Sequence, residues 1–234
     1  MNRNFSIVIG GSKGNGLEII KILKRRGDYV FNISRSKSKI ASKNIQVDLL
    51  DDNYLNEIKK EIKNKKIKSL IFSQKYRGNK TEEEFQVMIK ACKDIIFLLK
   101  NNFKKYGSVI FLSTTATKVI ADQNIDYYIA QSAREIMAKY LAVKFQKNSV
   151  RFNSILLSRL IKKENRNYIL SNSKLKKMLT SINPLNRIPT SKDTAFLVEY
   201  LTSDKSIMIN GESITVDGGL NLFGQEELVK NYSK

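Results

Sequence analysis

The chain has 234 residues, with 42 Lys and Arg against 22 Asp and Glu, a formal net charge of +20 at neutral pH. With no histidine and a single cysteine, Cys92, it offers neither a zinc site nor a Ser-His or Cys-His nucleophile, so proton transfer falls to Tyr, Lys, Asp, Glu or water. The lysines are spread over every predicted helix in a chain also rich in Asn and Ile, so the charge reads as compositional, an attraction for anionic ligands and not a nucleic-acid interface.

The first residues, Met1-Asn2-Arg3-Asn4-Phe5, run straight into an apolar strand without the length or cleavage pattern of a signal peptide. No stretch approaches the roughly 18 apolar residues of a membrane span, and a lone cysteine suits a reducing compartment. The expectation is a cytoplasmic protein of one domain over 1–234, because no linker or repeat interrupts it. Strands are predicted at Phe5–Ile9, Tyr29–Ile33, Ile45–Val47, Ser69–Phe72, Ser108–Leu112, Val150–Leu156 and Ser213–Val216. Between them, helical patterns occupy Gly16–Arg26, Asp52–Lys63, Thr81–Phe103, Ile125–Gln146 and Ser191–Thr202. Strands rich in Ile and Val on both faces, alternating with helices, predict an α/β Rossmann-type doubly wound parallel sheet of about seven strands.

The first strand leads into Gly10-Gly11-Ser12-Lys13-Gly14-Asn15-Gly16 and then a helix. In that setting Gly10 makes the tight turn, Gly14 lets the backbone approach a diphosphate, and Gly16 lets helix and strand pack closely. The helix N-terminus then faces the phosphates of a dinucleotide. The second strand ends in Ser34-Arg35-Ser36, where an NAD-type site would carry an acid for the ribose 2′-hydroxyl. Arg35, with Lys13 in the glycine loop, matches a 2′-phosphate instead, so the cofactor expected is NADP(H) before NAD(H).

These segments resemble the short-chain dehydrogenase/reductase family. Its T-G-x-x-x-G-x-G motif is matched by Ile9-Gly10 through Gly14-Asn15-Gly16, and its G-x-I-V-N-I-S-S strand by Gly107 to Thr114. Pro184-Leu185-Asn186-Arg187, Ile209-Asn210-Gly211-Glu212 and Val216-Asp217-Gly218-Gly219 resemble its later segments, so the likeness spans about residues 5–222. The resemblance implies adenine contacts at Asp48 and Leu49, and cofactor contacts at Ser73 and Gln74 in place of the family's N-N-A-G.

The family transfers a proton through a tyrosine in Tyr-x-x-x-Lys while nicotinamide carries the hydride. Of the adjacent Tyr127 and Tyr128, Tyr127 has the family spacing, thirteen residues after Thr114 and in register with Leu141-Ala142-Val143-Lys144-Phe145. Its partner four residues on is then Gln131, not lysine. The serine position holds Thr114, with Ser113 adjacent, the helix asparagine position falls near Met88, and Leu157-Ser158 replaces the family's P-G. Gln131 keeps a hydrogen bond for the ribose but brings no charge to the tyrosine. Lys75 and Arg134 are the cations that could stand in, each also readable as a solvated surface charge.

Two functions remain open at this point. One is an NADP(H)-dependent carbonyl reductase with Tyr127, Thr114, Ser113 and Gln131 in its modified site. The other is a non-catalytic NADP(H)-binding relative, a sensor or a structural subunit. The substrate loop falls at about 157–182, and the Lys, Asn and Arg within Ile161–Thr180 suit an anionic or polar small molecule. The resemblance also implies a homodimer or homotetramer built on the long central helices.

Overall fold

In the computed structural model, residues 3–120 and 123–233 are described. Seven strands form one parallel sheet: β1 (Phe5–Ile9), β2 (Tyr29–Ser34), β3 (Lys43–Gln46), β4 (Ile67–Phe72), β5 (Phe103–Thr114), β6 (Arg151–Leu157) and β7 (Ser213–Val216). Their order across the sheet is β3-β2-β1-β4-β5-β6-β7. The period-2 geometry of a strand sends alternate side chains to opposite faces. Ile7 and Ile9 of β1, Leu70 and Phe72 of β4, and Val109 and Phe111 of β5 therefore enter one core, while Val8, Ile71, Ile110 and Ile155 enter the other. Both faces are apolar because both are covered by helices.

The helices divide between those faces. α1 (Gly14–Arg25) and α8 (Ser191–Leu201) pack together on one, α1 through Ile19, Ile20 and Leu23, and α8 through Ala195, Val198 and Leu201. On the other lie α2 (Tyr54–Ile62), α4 (Ala91–Leu98) and α5 (Ile125–Lys144), which bury Ile58, Ile95, Ala138 and Leu141. No helix among the described residues is long and apolar enough to cross a membrane.

The predicted helix Thr81–Phe103 is not continuous. It comprises α3 (Thr81–Phe85), a π-helical turn at Gln86–Lys90, and α4, and a 3₁₀ turn at Lys100–Asn102 ends it. Phe103 already belongs to β5, whose pairing with β4 slips between Ile67 and Ser69, with Tyr106 at a positive φ of 59° in the slipped stretch. The predicted substrate loop at about 157–182 contains α6 (Arg166–Ser171) and α7 (Ser173–Ser181), and α9 (Gln225–Ser233) closes the described chain. α6 and α7 are short and bury no residue but Ile169, so too few apolar positions repeat to mark them in the sequence.

Strand order reverses between β1 and β4: the chain runs outward to β3, then returns to β4 on the other side of β1. The loops leaving these two strands diverge at their carboxyl ends, and this opens a crevice.

Candidate functional site

The glycine loop is shaped by contact. Gly10 has φ +78°, its N–H donates to the Ile33 carbonyl at 2.8 Å, and a Cβ there would lie 2.7 Å from the Gln74 backbone. At Gly16 a Cβ would stand 2.3 Å from the Gly10 carbonyl oxygen. Any side chain at either position would push β1, α1 and the β4 end apart. Gly14 differs: at φ +53° its Cβ position meets only Lys162 Cδ at 3.5 Å and Glu164 Oε2 at 3.8 Å. Its N–H, in the first turn of α1 and without a helical partner, donates to Glu164 Oε1 at 2.9 Å. Asn15 accepts from Ser191 Oγ at 2.7 Å in a buried contact that ties the loop to α8.

The loop after β2 is braced by two amides. Asn32 Nδ2 donates to Asn44 Oδ1 at 2.8 Å and to the Ser36 carbonyl at 3.2 Å, while Ser34 Oγ donates to the same carbonyl at 2.6 Å. Gln46 Nε2 donates to the Arg35 carbonyl at 2.9 Å. With its backbone fixed, Arg35 keeps a side chain that is 68% exposed, 3.9 Å from Asp48. Lys13, the N-cap residue of α1, is exposed on the same rim.

At the other end, Tyr127 is half-buried near the start of α5, edge-on to Tyr128 at 6.0 Å between centroids, with Lys75 Nζ 5.8 Å from its ring centroid. The Lys75 side chain is exposed at the cleft surface, and partial desolvation there, then Arg134 and Arg77, lowers its pKa. Thr114 Oγ1 donates to the Leu157 carbonyl at 3.3 Å and accepts from Ala116 N at 3.2 Å. Ser113 Oγ turns toward α5, onto Glu135 Oε1 at 3.2 Å and the Gln131 carbonyl at 3.4 Å. Gln131 is only 1% exposed, and its Oε1 has no hydrogen-bond partner among the described residues.

Arg134 is not a surface charge. It is fully buried and donates to the carbonyls of Met88 at 3.0 Å, Leu112 at 3.0 Å and Gln74 at 3.4 Å. The π turn displaces backbone carbonyls from the regular helical ladder, and side chains answer them: Gln74 Nε2 reaches the Val87 carbonyl, and Arg134 reaches that of Met88. Arg134 thus braces the ends of β4 and β5 against α5. Cys92, buried beside Gln74 and Arg134, has its thiol pKa pushed up by that burial.

These parts line one cleft of about 980 Å³, within the range of small-molecule and cofactor sites. Gly10, Ser12, Lys13, Gly14, Asn15, Ser34, Arg35, Ser36, Asp48, Leu49, Ser73 and Gln74 all line it, as do Ser113, Thr114 and Tyr127. Gly16 and Gln131 lie behind its wall, and Tyr128 is not among the lining residues. Sequence reasoning missed Arg77, Arg159, Lys162 and Glu164, which the loops after β4 and β6 bring into the same wall. Those side chains carry no local motif; only the crossing of two distant loops assembles them. No group of three or more His, Cys, Asp or Glu among the described residues is arranged to hold a metal ion.

A parallel doubly wound sheet with a glycine-lined cleft at its switch point defines the class: an α/β protein built for a ligand at the carboxyl ends of β1 and β4. Residues 79–221, more than half of the chain, match the family profile described as Enoyl-(Acyl carrier protein) reductase. The chain belongs to the short-chain dehydrogenase/reductase family, whose members are oxidoreductases. A tropinone reductase homologue of Arabidopsis thaliana is 33% identical over 119 residues, which are 51% of this chain and 38% of that relative. The aligned stretch therefore spans well under half of the relative's length. A short-chain dehydrogenase family protein from Francisella tularensis superposes with a TM-score of 0.82 at 25% identity, over 94% of this chain and all of the other. ElxO with NADP bound shares the fold at a TM-score of 0.82 and 17% identity, over 94% of this chain and 100% of that one.

Proposed function

We propose that this chain is an NADP(H)-dependent oxidoreductase that reduces the carbonyl of an anionic or polar small molecule through a modified proton-transfer site. The observation that carries this reading is the convergence, in one cleft, of the glycine loop, Arg35, Thr114 and Tyr127, with the Lys75 ammonium beside the tyrosine ring. The glycines fit a dinucleotide, since Gly10 and Gly16 admit no Cβ and Gly14 leaves its N-terminal amide facing the cleft. α1 and Lys13 would hold the phosphates, and Arg35 would pair with a 2′-phosphate. When bound, the nicotinamide supplies the hydride. Tyr127 then gives its hydroxyl proton to the carbonyl oxygen, and Thr114, whose contact to Leu157 is long, turns to donate to the same oxygen. Lys75 supplies the positive charge that neutral Gln131 does not.

A second reading, a non-catalytic nucleotide-binding relative, is favoured by the inward-facing Gln131 and by the engagement of Ser113 with Glu135. NADPH oxidation across aldehydes, ketones and quinones, including carboxylate- and phosphate-bearing ones, separates the two. The reductase reading expects turnover, with Tyr127→Phe slower by about 100-fold or more. NADPH binding without oxidation of any compound would favour the second reading. In either case, exposed Phe97 on α4 and Ile129, Ile136, Tyr140 and Val143 on α5 offer an apolar face for a second copy of the chain.

A further inference from the structure

The Lys162–Asn165 stretch has no assigned role, yet it stands directly over the loop that would receive the diphosphate. Gly14 N–H is one of the few amides that a helix start leaves without a partner, and a residue 150 positions away in sequence satisfies it. The satisfying group is a carboxylate, whose oxygens offer an amide the same acceptor chemistry as a phosphate. Lys162 lies alongside, its Cδ 3.5 Å from where a Gly14 Cβ would be.

The charges nearby are unbalanced. Lys75 and Arg77 from the β4–α3 loop and Lys162 from the segment after β6 face one another across the cleft wall. Burial, then Lys75 and Arg77, pushes the Lys162 pKa down to about 8, and Glu164 is the group that opposes this. A cluster of three cations with one carboxylate, itself committed to Gly14, calls for further negative charge.

The stretch is anchored on both sides of Glu164. Ile161 bridges to Thr190, with its N–H on the Pro189 carbonyl at 2.8 Å, and Asn165 folds back onto Lys162 N at 2.7 Å and the Leu160 carbonyl at 3.0 Å. Glu164 itself is exposed, so a change of rotamer alone releases Gly14.

We propose that Glu164 is a built-in place-holder for the diphosphate of the dinucleotide, and that Lys162 is a diphosphate-binding cation freed for that ligand when the carboxylate leaves. This rests on the dinucleotide reading above. A nucleotide that must displace Glu164 binds with only the fraction of its affinity that the open population allows.

The test is an NADPH and NADH fluorescence titration of the wild-type chain, Glu164→Gln and Lys162→Gln, with inorganic diphosphate as a competitor. Glu164→Gln is expected to tighten NADPH and diphosphate by about 3- to 10-fold, and Lys162→Gln to weaken both by about as much or more. Both substitutions lie outside the buried core, so neither threatens the fold. Wild-type binding with unchanged or weaker binding by Glu164→Gln overturns the place-holder and leaves the dinucleotide site standing. If neither nucleotide binds to any of the three proteins, the dinucleotide reading and this one fall together.

Discussion

At the scale of single residues, the proposed proton transfer turns on one pair, Tyr127 and Lys75. Tyr127 was legible because its spacing from Thr114 and the Leu141–Phe145 segment selects it over Tyr128, and the cleft is lined by it. Lys75 and Arg134 were equally legible as cations, but nothing in the sequence ranks them. The structure does: Arg134 is spent on three carbonyls in the core, whereas Lys75 Nζ stands 5.8 Å from the Tyr127 ring. If Lys75 steadies negative charge on the tyrosine, Lys75→Gln lowers kcat/KM for reduction and for oxidation alike, by about 10-fold or more, and Lys75→Arg restores much of it. The charge acts on the transition state common to both directions, in which the tyrosine oxygen gains negative charge. Steady-state kcat/KM of the two variants checks this. Equal losses for Lys75→Gln and Lys75→Arg would reduce Lys75 to a packing role.

At the scale of elements, strands were easier to read than the helices beside the site. Six of the seven strands lie within two residues of the predicted ends, and β5 starts five residues earlier than predicted; in the central strands, apolar runs buried on both faces leave little ambiguity. The break in Thr81–Phe103 is silent in the sequence because a π turn costs no apolar position; it is stabilised by Gln74 and Arg134, which lie outside the helix. The position of α8 matters to the site through the Ser191–Asn15 contact, and its start is fixed by Asp193. That carboxylate accepts two bonds from Arg187, at 2.9 and 2.7 Å, and bonds from the backbone and hydroxyl of Thr190. Arg187, then Thr190, holds the Asp193 pKa down at about 2, against the opposing effect of burial. A folded pKa below the unfolded value of about 3.9 means stability that is present above that pH and lost as pH falls through about 2. Asp193→Asn should therefore cost about 1–2 kcal/mol at pH 7 and progressively less toward pH 2, read from urea unfolding across pH. A pH-independent difference would mean that the carboxylate charge contributes nothing.

At the scale of the whole molecule, the alternation of strands and helices and the early glycine cluster were enough to imply a doubly wound sheet, and with it a crevice at the switch point between β1 and β4. What sequence could not disclose is which loops meet over that crevice. Arg77, Lys162 and Glu164 belong to segments with no motif, and a lysine-rich composition hides a functional cation among ordinary ones. The +20 charge raises the local concentration of any polyanion, so nucleotide affinity should be compared at near-physiological salt, where contact chemistry outweighs the general field. The proposed NADP(H) site rests on the glycine loop and Arg35. A chain without tryptophan leaves reduced-nucleotide fluorescence unobscured, so titration with NADPH against NADH tests it most directly. NADPH is expected to bind more tightly than NADH by about 10-fold or more, with Arg35→Ala removing most of that preference. NADH binding as tightly as NADPH, or neither nucleotide binding, would contradict it.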